Sequence, residues 1–437
     1  MSAIASGKKR SLKELEEQTE HSEEEEIEPV RKKAKLVEKD VEEKKVDEHA
    51  AVTVESIQKL FAVNTSTLAN RLEVYQHFQQ LSLALMRDLV LVIPIKSGGN
   101  ASKKKLFQFV EFEFYCLDSA HHQDVFAHAH HLQFTTSCSW YFHRSGNSAA
   151  HAFKYMSTPQ ADGGEESSGK QWVDPRPNVA FRGGTFKGMD ITFGAERKLF
   201  GGILIRSLRE LSPTMFDANT LTASGEVIEG PCKCVDRILA ETNCGDLKQF
   251  TASSKFSASI FGNDSHWMYV DLATNYNIQS SSSSSASPLF FNSPRVGLTL
   301  KAEKGNNGLS ATQMKRFETL KREFVMAPYR SIRTSCLSKL KRYKPLIALS
   351  LLYNDYYQKR VNASHGYHEY GDIEKAHWKW AERFGPFPKK AKLNELKKQC
   401  EIGQKDSSQI IEAAVKKWKT TGNDLAQLFG ALMVKQK

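Results

Sequence analysis

The tightest constraint on the fold lies between residues 89 and 115. Leu89–Ile95 is an aliphatic run rich in Val and Ile, Ser97–Lys104 is a turn of Gly, Asn and Lys, and Leu106–Tyr115 alternates Phe with Glu and Gln. An aliphatic run of strand length, a turn, and then a period-two alternation predict a β-hairpin. Side chains of period two share one side of a strand, so Glu111, Glu113 and Tyr115 fall together. His128 follows in the run Asp124–His128. An acid and an aromatic ring at a strand end, with an imidazole in the next loop, suit a pocket for a nucleobase; a surface carboxylate beside a packed ring is the plainer reading.

Around this hairpin the pattern is mixed. Ile57, Leu60, Phe61, Leu68, Leu72 and Tyr75 recur at helical spacing, and further short strands are predicted at Phe186–Phe193, Gly202–Leu208 and Trp267–Asp271. Beyond about Ala327 the spacing turns helical, with Leu337, Leu340, Leu346, Leu349 and Leu352, then Ile410, Ile411, Ala414, Val415 and Trp418. These amphipathic stripes predict packing against the main domain. The expected fold class is α+β: a single mixed or antiparallel sheet with surrounding helices, plus a basic helical C-terminal extension. The layout is a disordered tail over 1–50, a domain over 51–330 with polar insertions at 145–178 and 279–288, and the extension over 331–437.

Charge narrows the function classes. The net +11 of the chain is uneven: −4 over residues 1–50 and +11 over residues 331–437. A basic region of this kind attracts a polyanion such as nucleic acid, or is simply a solvated face. Pro29–Lys35 and Pro388–Lys392 each contain Lys-Lys-Ala-Lys. Both resemble nuclear localisation signals, which predicts a nuclear import receptor as partner and the nucleus as location. The apolar stretches Leu89–Ile95 and Leu346–Tyr353 fall short of the roughly 20 residues that span a bilayer, so no membrane partner is expected. No apolar leader follows Met1, which predicts free thiols for the seven cysteines. His121, His122, His128, His130, His131, His143, Cys116 and Cys138 match no standard zinc spacing, and Cys232-Lys233-Cys234 is not a zinc knuckle. No metal and no cofactor are expected. Trp140–Arg144 is an aromatic cluster with basic neighbours, read as core, with stacking on a base as the alternative.

Several segments in order resemble the methylpurine-DNA glycosylases (3-methyladenine or alkyladenine DNA glycosylases), across roughly residues 75–330. Leu83–Val92 looks like the helix-to-strand entry of that family, and Phe109–Tyr115 is similar to its catalytic strand. Gly184-Thr185-Phe186, Phe193-Gly194 and Gly202–Leu208 resemble its following strands, and Glu229–Lys233 its turn before a helix. Pro294–Gly297 and Pro328-Tyr329-Arg330 look like its closing motifs.

The resemblance implies a DNA glycosylase that flips a modified purine from double-stranded DNA and hydrolyses its N-glycosidic bond in base excision repair. Carried over residue by residue, Glu113 is the general base, Tyr115 and His128 line the flipped base, Arg206 positions the site, and Phe193 is the wedge that fills the vacated stack. The chain departs from the family at Lys187–Asp190, where a second stacking tyrosine is expected, and near Leu199–Gly201, where a pocket asparagine has no counterpart. A non-catalytic nuclear nucleic-acid-binding protein on the same fold is the alternative.

Overall fold

The computed structural model of the chain describes most of residues 52–143, 187–278, 290–340 and 390–434. The N-terminal tail with its basic cluster, both polar insertions, Leu346, Leu349 and Leu352, and Pro388 with Lys389 lie outside the described residues. Two helices lead into the sheet, α1 (Val54–Phe61) and α2 (Arg71–Leu83). Thr53 caps α1 by accepting from the Ser56 amide while Ser56 bonds back, which satisfies amides that the first helical turn leaves free. In α2 the buried stripe is Val74, His77, Phe78 and Leu81, at the spacing of one helix face. A π-helical turn, Ala84–Asp88, then hands the chain to the sheet.

The hairpin predicted from the sequence is present as β1 (Leu89–Ile95) and β2 (Lys103–Asp118), paired antiparallel with Leu91 opposite Phe107. After a short helix α3 (His131–Thr135) come β3 (Trp140–His143), β4 (Gly188–Thr192) and the long β5 (Leu199–Pro213). The short strands β6 (Leu221–Thr222) and β7 (Val227–Glu229) both pair with β5. Helices α4 (Pro231–Glu241) and α5 (Leu247–Ala252) precede β8 (Tyr269–Leu272). Then follow β9 (Phe290–Ser293), α6 (Ala311–Phe324) and β10 (Arg330–Arg333). The order across the sheet is β3-β4-β5-β2-β1-β8, with β10 paired to β2 and β9 beyond it. The named strand pairs are all antiparallel, and the fold is α+β.

β2 is the axis of this arrangement. β5 runs along one edge of it, while the other edge is shared by β1 at Lys103–Phe107 and β10 at Glu111–Glu113. Near its C-terminal end β2 packs on α2: the Phe114 ring stacks on Phe78 at 4.5 Å, and Phe112 meets Phe114 edge-on at 5.6 Å. Each such buried ring contributes roughly 1.5–3 kcal/mol. Arg330–Arg333, at the expected boundary, is a strand bonded to the middle of β2.

Helices α7 (Lys390–Lys405), α8 (Ser407–Lys416) and α9 (Gly422–Val434) close the described chain. Leu396, Ile411, Leu425, Leu428, Phe429 and Leu432 bury themselves with Leu300, Val325 and Met326, so these helices dock on the main domain. The α7–α9 crossing is close: a Cβ at Gly430 would lie 2.0 Å from the Cys400 carbonyl oxygen.

Candidate active site

Two irregularities in the β2–β5 pairing shape the site. The register shifts between Phe109 and Glu111 and again between Glu111 and Phe112, leaving Val110 and Arg206 unpaired across the ladder. A bulge re-aims side chains, and here consecutive residues both reach the same carboxylate. Arg206 Nε donates to Glu111 Oε1 at 3.0 Å, and the Ser207 hydroxyl donates to Glu111 Oε2 at 2.6 Å. From the other edge, Arg330 Nε of β10 donates to Glu111 Oε1 at 2.7 Å.

Glu113 is fully buried and holds three donors: the Val296 amide on Oε1 at 2.6 Å, and on Oε2 the Tyr115 hydroxyl at 2.9 Å and Arg206 Nη1 at 3.3 Å. A carboxylate offers about four acceptor directions, so one more donor fits, on the Oε1 side. Tyr115 is braced in turn by Arg295, whose guanidinium lies 4.6 Å from the ring centroid and pairs bidentately with Asp124 at 2.5 and 3.0 Å. Arg295 also donates to the Phe114 carbonyl at 3.0 Å, tying this ion pair to the strand that carries Glu113 and Tyr115.

Buried charge of this density survives because it is paired. Burial alone would raise the Glu111 carboxyl, but Arg330, Arg206 and the Ser207 hydroxyl outweigh it and hold the group below its ordinary value. Burial, and then the negative charge of Glu113, push the Tyr115 phenol well above its usual range, so it remains a hydrogen-bond donor at neutral pH.

The structure brings Glu113, Tyr115 and Arg206 together; His128 lies outside the described residues. Phe193 lies in the core. Its ring is fully buried, edge-on to Phe78 at 5.8 Å and to Phe114 at 6.3 Å. A wedge must stand clear of the surface to enter a base stack, and this ring is part of the aromatic core. Where the family places a second tyrosine, Asp190 is buried and accepts from Gln133 Nε2 at 3.4 Å. This polar pair sits over Gly202, the residue opposite Tyr115, where a Cβ would come within 2.4 Å of Gln133 Nε2. The Trp140–Phe142 aromatics are buried in β3, Tyr141 stacking on His130 at 4.6 Å. Sequence reasoning gave no role to Asp124, Arg295, Val296 or Arg330. The motifs around Pro294 and Pro328 pointed to that part of the chain without saying what it touches.

Two buried imidazoles add a pH dependence. His122 is enclosed by Phe78, Phe324 and Tyr329, with no hydrogen-bond partner on either nitrogen, and burial lowers it to about 4. His77 is lowered to about 4 for the same reason. The unfolded chain takes up these protons near pH 6.5 and the folded chain only near 4, so stability is full above 6.5 and falls as the pH drops through that window. Each shift is worth about 3 kcal/mol. Chemical denaturation at pH 7 and pH 4.5 should show the loss, and His122→Leu should reduce it; a pH-independent stability over this range contradicts the assignment.

All seven cysteines are free thiols. Among the described residues, no group of three or more His, Cys, Asp or Glu side chains is placed to hold a metal ion, and no helix is long and apolar enough to cross a membrane. No family model matches the chain. Over 237 residues, 52% of this chain and 80% of the relative, it is 28% identical to a protein of Acanthamoeba polyphaga mimivirus described as "Uncharacterized protein L759". Neither comparison attaches an activity to the residues around Glu113.

Proposed function

We propose that the protein is a DNA glycosylase that takes a modified purine out of double-stranded DNA and hydrolyses its N-glycosidic bond, as a step of base excision repair. The observation that carries this reading is the state of Glu113: a buried carboxylate, oriented by the Val296 amide, Tyr115 and Arg206, with one acceptor direction left. A water donating to that direction is oriented for attack on the sugar carbon, and Glu113 takes its proton as the base departs. Arg206 holds the carboxylate in place through its bond to Oε2. Arg295 covers one face of Tyr115, so a flipped base stacks on this ring from the other side only. With Gln133 and Asp190 where a second ring is expected, the pocket holds its base by one stacking contact and a polar wall.

Duplexes each carrying one modified purine, incubated with the full chain, test the reading: free base and an abasic site are expected from at least one of them. The two Lys-Lys-Ala-Lys clusters support nuclear import, and deletion of residues 29–35 is expected to lower nuclear accumulation of a tagged protein. A full-length protein spread evenly through the cytoplasm would remove that part of the proposal.

The second reading, a nucleic-acid-binding protein without catalysis, is favoured by one observation. Glu113 is 0% exposed, so water reaches it only if the pocket opens when a base enters. Absence of base release together with tight duplex binding selects this reading.

A further inference from the structure

Five arginines are buried along the sheet: Arg206, Arg209, Arg295, Arg330 and Arg333. Three of them have carboxylates, Arg206 and Arg330 through Glu111 and Arg295 through Asp124. Arg209 and Arg333 differ. Arg209 Nη2 donates to the Gln108 side-chain oxygen at 2.9 Å and makes a long contact of 3.5 Å with the Ser335 hydroxyl, while its Nε has no partner. Arg333 donates to two backbone carbonyls, Phe109 at 3.1 Å and Met86 in the π-helical turn. Among the described residues, neither forms an ion pair with a carboxylate.

The two reach neighbouring residues, Arg209 bonding Gln108 and Ser335 and Arg333 bonding the carbonyl of Phe109, next to Gln108 in the chain. Burial brings Arg333 down to about 10, with Cys336 opposing it and the like charge of Arg209 adding a smaller push in the same direction, and the group stays cationic at neutral pH. Two buried cations with no carboxylate partner among the described residues, and an unused N–H on Arg209, are an incomplete arrangement. It is reachable from outside: Ser335 is exposed and Gln108 only half-buried.

We propose that Arg209 and Arg333, with the Ser335 hydroxyl at the mouth, bind one oxyanion of the phosphate class. The planar guanidinium forks match a tetrahedral oxyanion, and a bound anion supplies a charge that the described residues do not. The anion is either free phosphate or one phosphodiester of a bound nucleic acid. This site is separate from Glu113 and does not depend on base release.

The test uses the full chain and inorganic phosphate, titrated against chloride at constant ionic strength, with thermal unfolding and calorimetric binding as readouts. Wild type is expected to show a saturable rise in Tm. Arg209→Met is expected to bind phosphate about tenfold or more weakly, the loss of a charge-assisted hydrogen bond. In chloride alone its Tm should equal or exceed that of wild type, because the repulsion with Arg333 is gone; a merely structural arginine would lower it. Arg209→Gln, which keeps a donor toward Gln108 without the charge, serves if the methionine variant does not fold. A duplex-binding series in salt separates the sources: a phosphodiester ligand lowers the salt slope of the variant by about one, and a free phosphate leaves it unchanged. No saturable response in wild type, or equal responses in wild type and both variants, overturns the proposal.

Discussion

Glu111→Ala is expected to lose about 3–5 kcal/mol of stability, the usual result of removing one partner from a buried ion pair. Glu111 is 2% exposed and receives Arg206, Arg330 and Ser207 at 3.0, 2.7 and 2.6 Å, from both edges of its strand. Without it, Arg206 and Arg330 lose the carboxylate they share, and Arg206 keeps a longer contact of 3.3 Å with Glu113. Against a total of roughly 5–15 kcal/mol, this is a large part of the stability of the domain. Glu111→Gln keeps the volume and one acceptor oxygen, so its loss should be smaller. Urea unfolding with unchanged m-value measures both. A Glu111→Ala protein as stable as wild type would mean that the network is not what holds β2, β5 and β10 in register.

The sequence made the hairpin legible because both of its signals are local: an aliphatic run and a period-two alternation separated by turn residues. Glu113 and Tyr115 could be placed on one side for the same reason, and Arg206 joined them through the resemblance. The strand Arg330–Arg333 was not legible. Arg-Ser-Ile-Arg has no apolar pattern, and its burial depends on partners contributed by β2 and β9. Likewise the Arg330–Glu111 and Arg295–Asp124 pairs join residues 219 and 171 positions apart, which no window along the chain contains. The packing of Phe193 was not legible either. Its position in a family motif suggested an exposed role, but a phenylalanine at the end of β4 packs wherever aromatic surface is offered, and Phe78 and Phe114 offer it.

Glu113→Gln is the second large effect. The amide keeps the shape of the carboxylate but cannot take a proton from water, so base release should fall on the order of a hundredfold to ten-thousandfold. Its NH2 group must also face a donor, since the Val296 amide and Arg206 donate to opposite oxygens of Glu113. A stability loss of about 1–3 kcal/mol is therefore expected, small enough to leave the domain folded. Duplex binding should be retained, because Glu113 is fully buried and offers a duplex no surface to contact.

The most direct measurement is single-turnover release of free base from a modified-purine duplex, at protein concentrations that saturate binding, for wild type and Glu113→Gln side by side. Saturation removes affinity from the comparison and leaves the chemical step. The expected result is release by wild type and a drop of about a hundredfold or more in the variant, with both proteins folded and bound. A folded, duplex-bound wild type that releases no base from any modified purine tested, with Glu113→Gln indistinguishable from it, would contradict a catalytic role for this site.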